Sequence, residues 1–137
     1  MKQNKKGFTL IELLAVIVIL AVIALITTPI ILNVVEESRK NAAKDKTYGV
    51  IDAVKLAYAQ EQMNEGASDN PTYTLDFSKA DGKKVGNTSV KISGDIPTEG
   101  KVFIDNGNIT VKSDFKLKFG NYRCYINDKN KAECNRQ

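Results

Sequence analysis

Histidine is absent from all 137 residues. That removes the commonest metal ligand and the commonest general base together. Cysteine occurs only twice, at Cys124 and Cys134, and two thiols without histidine make a poor zinc site. There is no glycine-rich phosphate loop and no nucleophile–base pair. The residues thus offer neither a catalytic constellation, nor a metal cluster, nor a cofactor site. They read as a protein that is not an enzyme.

A surplus of charge is nearly missing too. The net charge is +4 and the pI about 9.0, which would ordinarily raise nucleic-acid binding. Three of the lysines, Lys2, Lys5 and Lys6, stand ahead of a long apolar run, and setting them aside from 20 basic residues leaves 17 against 16 acidic ones. The basic character belongs to a short leader. Lys112, Lys116 and Lys118 are expected to alternate along one strand face, as a solvated face by default or a DNA-contacting stripe as the alternative.

What the chain does have is concentrated hydrophobicity. Leu13 to Leu32 are 20 residues without a charge. As a helix they would span about 30 Å, the thickness of a bilayer core. The preceding lysines would stay in the cytoplasm, leaving the C-terminal part outside. A secretory signal peptide has a shorter core and a small-residue cleavage site. Thr27-Thr28-Pro29 is a poor candidate for one, so the segment should be retained. In an exported chain Cys124 and Cys134 read as one disulfide, with two free thiols as the alternative.

The stretch "KGFTLIE", Lys6 to Glu12, ends the basic leader in Gly7, opens the apolar run with Phe8 and places Glu12 four residues on. Here the sequence resembles the type IV pilin family, including the pseudopilins of type II secretion and DNA uptake. The resemblance is close over residues 1 to about 35 and architectural beyond. It implies that a membrane peptidase cuts between Gly7 and Phe8 and methylates the new N-terminus of Phe8. It also implies an assembly platform with its ATPase, a membrane-inserted precursor, and a homo-oligomeric helical filament on the cell surface.

The resemblance gives Glu12 a role that physics supports. A carboxylate in a bilayer costs about 2.5–3.5 kcal/mol on insertion scales. Pairing with the Phe8 amine of a neighbouring subunit would relieve both charges and set the register of assembly. The plainer alternative is that Glu12 lies one turn from Phe8 and snorkels to the interface. Pro29 is expected as a helix break: it loses the bond to the Leu25 carbonyl, and the Thr27 and Thr28 hydroxyls are near enough to replace it. In the family the segment before this proline can unwind in the filament. A glycine often stands there at the place of Ala21, and alanine favours helix more strongly.

Beyond Val34 the pattern turns amphipathic. Ala43, Thr47, Val50, Ile51, Val54, Ala57 and Tyr58 fall on one helical face, and Gly66 is a natural stop. One helix is expected from Phe8 to about Met63, with soft points at Pro29 and Gly49. "TYTLDF" alternates with period two, and "GKVFIDNGNITVKS" reads as a hairpin about Asn106-Gly107. "FKLKF", "YRCYIND" and "KAEC" complete an antiparallel sheet of about four strands. Too small to bury its apolar face alone, such a sheet would lie on the helix.

The expected fold is therefore α+β, a long N-terminal membrane-spanning helix packed against a small C-terminal antiparallel sheet. Residues 1–7 would form the removed leader, 8–35 the membrane and filament-core half of the helix, and 36–65 its outer half. Residues 66–137 would form the head, its end stapled by Cys124–Cys134 as pilins commonly close a C-terminal loop. The function implied is a structural subunit of a surface pilus for adhesion, motility or biofilm. The rivals are a pseudopilin or minor pilin of a secretion or DNA-uptake machine, and a solitary membrane-anchored binding domain.

Overall fold

The computed structural model describes residues 5–64, 66–67, 69 and 71–137. Residues 1–4 of the expected leader, and Ser68 and Asn70 of the expected "GASDNPT" loop, lie outside the described residues. The chain divides into two compact units, Met1–Ser38 and Arg39–Gln137. One helix, α1 (Leu10–Met63), contributes to both.

The helix begins at Leu10, two residues later than the pattern suggested, because Thr9 caps it. Glu12 N–H donates to Thr9 Oγ1 at 3.3 Å, and the first main-chain bond runs from Leu13 N–H to the Thr9 carbonyl at 3.2 Å. Its end is as expected. Gly66 takes a left-handed φ of 94° just beyond Met63, a conformation that glycine adopts without steric cost.

The helix continues through Pro29. The neighbouring threonines do not serve the Leu25 carbonyl. Thr27 Oγ1 donates to Ile23 O at 2.9 Å and Thr28 Oγ1 to Ala24 O at 2.7 Å. A threonine hydroxyl in a helix lies beside the carbonyl four residues back, so each bonds along its own row. The polar hydroxyls are thereby paired inside an apolar segment, on the carbonyls one and two residues before that of Leu25, where the proline leaves its gap.

In the second unit the apolar helix face is the one the periodicity marked. Ala43, Thr47, Val50, Ile51, Val54 and Ala57 are buried, and Tyr58 packs at the margin. Thr47 fits among them because its hydroxyl donates to the Ala43 carbonyl at 3.0 Å, which removes the cost of a bare polar group. A buried residue the pattern did not mark, Glu61, ends this row.

Against these residues lie strands in three antiparallel sheets rather than one sheet of about four strands. Strands β1 (Thr72–Asp76), β4 (Lys101–Asp105) and β5 (Asn108–Thr110) form the first, in the order β1-β4-β5. Strands β6 (Leu117–Phe119), β7 (Tyr122–Ile126) and β8 (Ala132–Arg136) form the second, and β2 (Lys84–Val85) with β3 (Thr88–Ser89) a two-stranded third. The β4–β5 turn is at Asn106-Gly107, both at positive φ, as a tight hairpin requires. Val102, Ile104, Ile109 and Val111 are all buried, as their alternation implied.

The first two sheets are joined by main-chain bonds. Thr98 N–H donates to Lys118 O, Lys118 N–H to Glu99 O, and Ile126 N–H to Val111 O, at 2.9–3.0 Å. Gly100 allows this approach: a Cβ there would lie 2.4 Å from the Lys116 carbonyl oxygen, and its φ is 111°. Behind the join, β8 is held to the helix by Ala132 N–H donating to the Tyr48 hydroxyl at 2.8 Å.

The lysine stripe is not one strand face. A 3-10 turn, Ser113–Phe115, falls between Lys112 and Lys116, and only Lys118 is in a strand. The three side chains find different partners. Lys112 lies over the Phe103 ring, Lys116 over Tyr125, and Lys118 pairs with Glu99 at 3.2 Å.

Candidate functional site

Residues 5–9 are non-helical and exposed, so the Gly7–Phe8 bond lies in open chain immediately ahead of the helix. Gly7 has no local need to be glycine. A Cβ there would meet nothing within 4 Å, and its φ is not in the left-handed region. A side chain at position 7 is therefore excluded by nothing among the described residues. Phe8 is 93% exposed and makes no core contact.

Four residues on, Glu12 occupies the first turn of α1. Its Oε2 accepts the Thr9 N–H at 3.1 Å while its own N–H reaches the Thr9 hydroxyl. This is the reciprocal capping box of a helix start, and a carboxylate there is also favoured by the helix dipole. Sequence reasoning had singled out Glu12 alone. The signal for Thr9 was nonetheless present, in the threonine three residues before a glutamate at the head of an apolar run.

From Leu13 to Ile26 the helix is apolar on every side and exposed on every side. Leu14, Ile17, Leu20 and Ile23 are each more than half exposed, and none of the most apolar 18-residue window is buried. By length and composition this helix can cross a membrane. An apolar surface of this extent needs a covering, from lipid or from other protein.

The remaining sequence-marked residues lie in the second unit. Cys124 and Cys134 form a disulfide between directly opposed positions of β7 and β8, with Cα atoms 4.1 Å apart. Both are buried, with Cys124 Sγ 3.7 Å from the Ala43 carbonyl oxygen of α1. The bond thus fixes the last strand at the point where it meets the helix. Around it, Tyr125 donates to Glu133 at 2.6 Å, which holds the Glu133 carboxyl below its usual range and pushes the Tyr125 phenol up.

A long apolar helix with a capped, exposed start, followed by small antiparallel sheets, has the α+β architecture of the pilin fold. Residues 2–28 match the family model described as the prokaryotic N-terminal methylation motif. The chain carries that motif, the hallmark of type IV pilins and pseudopilins. No curated protein and no solved structure matches it.

Proposed function

We propose that this chain is the precursor of a type IV pilin: cut between Gly7 and Phe8, methylated on Phe8, and stacked through its N-terminal helix into a surface filament. The observation that carries the reading is the methylation motif joined to an apolar helix that is exposed all round. Removing residues 1–7 discards Lys2, Lys5 and Lys6 and leaves Phe8 as a new amine at the head of the apolar segment. The same exposed helix can lie in lipid before assembly and against its neighbours afterwards. Repeated copies stacked head to tail do not close on themselves, which an extensible fibre requires.

Glu12 supplies the register. Its carboxylate lies in the first turn beside the position of the new amine, and pairing it with the amine of an adjacent copy removes two charges from an apolar surrounding. The head, with its disulfide-fixed last strand, remains outside. Electron microscopy of sheared surface material, with intact-mass analysis of its subunit, tests the reading. Abundant filaments of this subunit, shortened by seven residues and one methyl group heavier, are expected. A processed subunit present only in trace amounts and never as filaments would move it to the pseudopilins.

A further inference from the structure

The two hydrogen bonds between Thr9 and Glu12 do more than close the end of a helix. A glutamate has three side-chain torsions, and an untethered carboxylate samples many positions around the first turn. Here Oε2 is bound to the main-chain N–H of Thr9 at 3.1 Å, which holds the carboxylate at the head of the helix. The Thr9 hydroxyl fixes the other half of the arrangement, since it accepts the Glu12 N–H and so holds the main chain of Glu12 in place.

No cation takes this part. Among the described residues no lysine or arginine forms an ion pair with Glu12, although Lys5 and Lys6 stand close in sequence. The groups that tether the carboxylate belong to Thr9, which stays in the chain when the leader is removed. In water an exposed cap of this kind competes with solvent. Between packed apolar helices the competing water is gone, and each unpaired polar group costs more. The tether should therefore count for more in the filament than at an exposed helix end.

We propose that Thr9 is the positioning residue for Glu12, fixing its carboxylate in the orientation that meets the N-terminal amine of the next copy. The inference rests on the assembly role of Glu12 proposed above. Leu10 and Ile11, which separate the two residues, are exposed apolar side chains and cannot substitute for the hydroxyl. Serine can, because it keeps the acceptor. Valine keeps the shape and removes it.

The test uses the full chain in its producing cell, as wild type, Thr9→Ser, Thr9→Val, Glu12→Gln and the Thr9→Val/Glu12→Gln double variant, each co-expressed with tagged wild type. Two quantities are read: cut subunit in the membrane, by mass, and the fraction incorporated into sheared filaments, by peptide mapping. Thr9→Ser should incorporate as wild type does. Thr9→Val should be cut and inserted normally but incorporate about five-fold less, which corresponds to the loss of a cap worth about 1 kcal/mol. In the double variant the loss should equal that of Glu12→Gln alone, because a residue acting through Glu12 has nothing left to position.

Normal incorporation of Thr9→Val, or losses that multiply in the double variant, would overturn the proposal while leaving the pilin reading intact. So would a Thr9→Val chain that fails to accumulate as cut subunit, since Thr9 would then serve insertion or cleavage. Wild type that is neither cut nor assembled overturns both.

Discussion

Thr88 donates its hydroxyl to Glu61 Oε2 at 2.6 Å, joining the first residue of the short strand β3 to the last turn of the long helix. Glu61 Oε1 accepts the Asn87 N–H at 3.2 Å, and Asn64 Nδ2 donates to Oε2 at 3.1 Å. The carboxylate is satisfied by neutral donors rather than by a cation. Gly86 permits the approach, since a Cβ there would lie 2.3 Å from Oε1 and its φ is 58°. A latch of this kind stabilises only while every donor stays in place.

Gly86→Ala should accordingly lower the melting temperature of the detergent-solubilised protein more than Thr88→Val does. The alanine meets both the clash and the left-handed backbone, while the valine loses one hydrogen bond. Hydrogen exchange should show Lys84–Ser89 opening first in both variants. Equal melting temperatures for wild type and Gly86→Ala would show that the latch carries no stability.

Reduction of the disulfide is expected to destabilise the head by around 3 kcal/mol in the chain-entropy model for a short loop. Cys124 and Cys134 are both buried in the core of the second unit, so the thiols left behind would remain apolar and inert. Chemical denaturation of the protein with and without reductant measures the difference. Non-reducing peptide maps of surface material should show the two cysteine peptides linked, and free alkylatable thiols there would contradict the bond.

Acid should loosen the join between the two larger sheets. The hydrogen bond from Lys118 to Glu99, with Arg123 at 3.0 Å adding to it, holds the Glu99 carboxyl below the usual range. Asp76, bonded by Ser78 and facing Lys101, is lowered in the same sense, as is Glu133 by Tyr125. A carboxyl whose folded pKa is depressed contributes stability above its unfolded pKa, about 4.3 for glutamate. That contribution is lost as pH falls through the lower folded value. Melting temperature should therefore be flat at neutral pH and fall below about pH 4. Glu99→Gln should show a shallower fall, and an unchanged acid limb would remove Glu99 as a contributor.

Processing should leave a chain that begins at Phe8. Since no described residue crowds position 7, Gly7→Ala should fold and insert as wild type does. Any loss of cleavage would then report on the peptidase's own requirement, read as the ratio of uncut to cut mass. A surface protein that still begins at Met1 would remove the pilin assignment.

Glu12→Ala should insert normally and fail to assemble. Removing the carboxylate relieves the monomer in the bilayer and leaves the amine of the next copy unpaired in the fibre. Glu12→Gln keeps the shape and some hydrogen bonding without the charge, so it should assemble poorly. Normal filament yield from both variants, at matched membrane levels, would mean that Glu12 only snorkels to the interface.

Much of this architecture was legible because its causes are local. The leader, the glycine before Phe8, the capping pair three residues apart and the unbroken apolar run all lie within the first 32 residues. The helix face from Ala43 to Ala57 repeats with the helical period, and Asn106-Gly107 specifies its hairpin by backbone preference alone. These features depend on neighbours in sequence, so a single sequence reveals them.

Other features depend on partners far along the chain. Glu61 looks like a solvated glutamate until Thr88, 27 residues away, comes to meet it. Strands β2 and β3 are two residues each, too short for alternation to register, and exist beside a latch that only folding assembles. The lysines at 112, 116 and 118 share a spacing but not a surface, because an intervening turn sends each to a different partner. The sequence by itself determined the motif-bearing, membrane-compatible helix, whose chemistry is written in adjacent residues. Only the tertiary structure decided which polar groups of the head would be buried and paired, since that follows from contacts between residues distant in the chain.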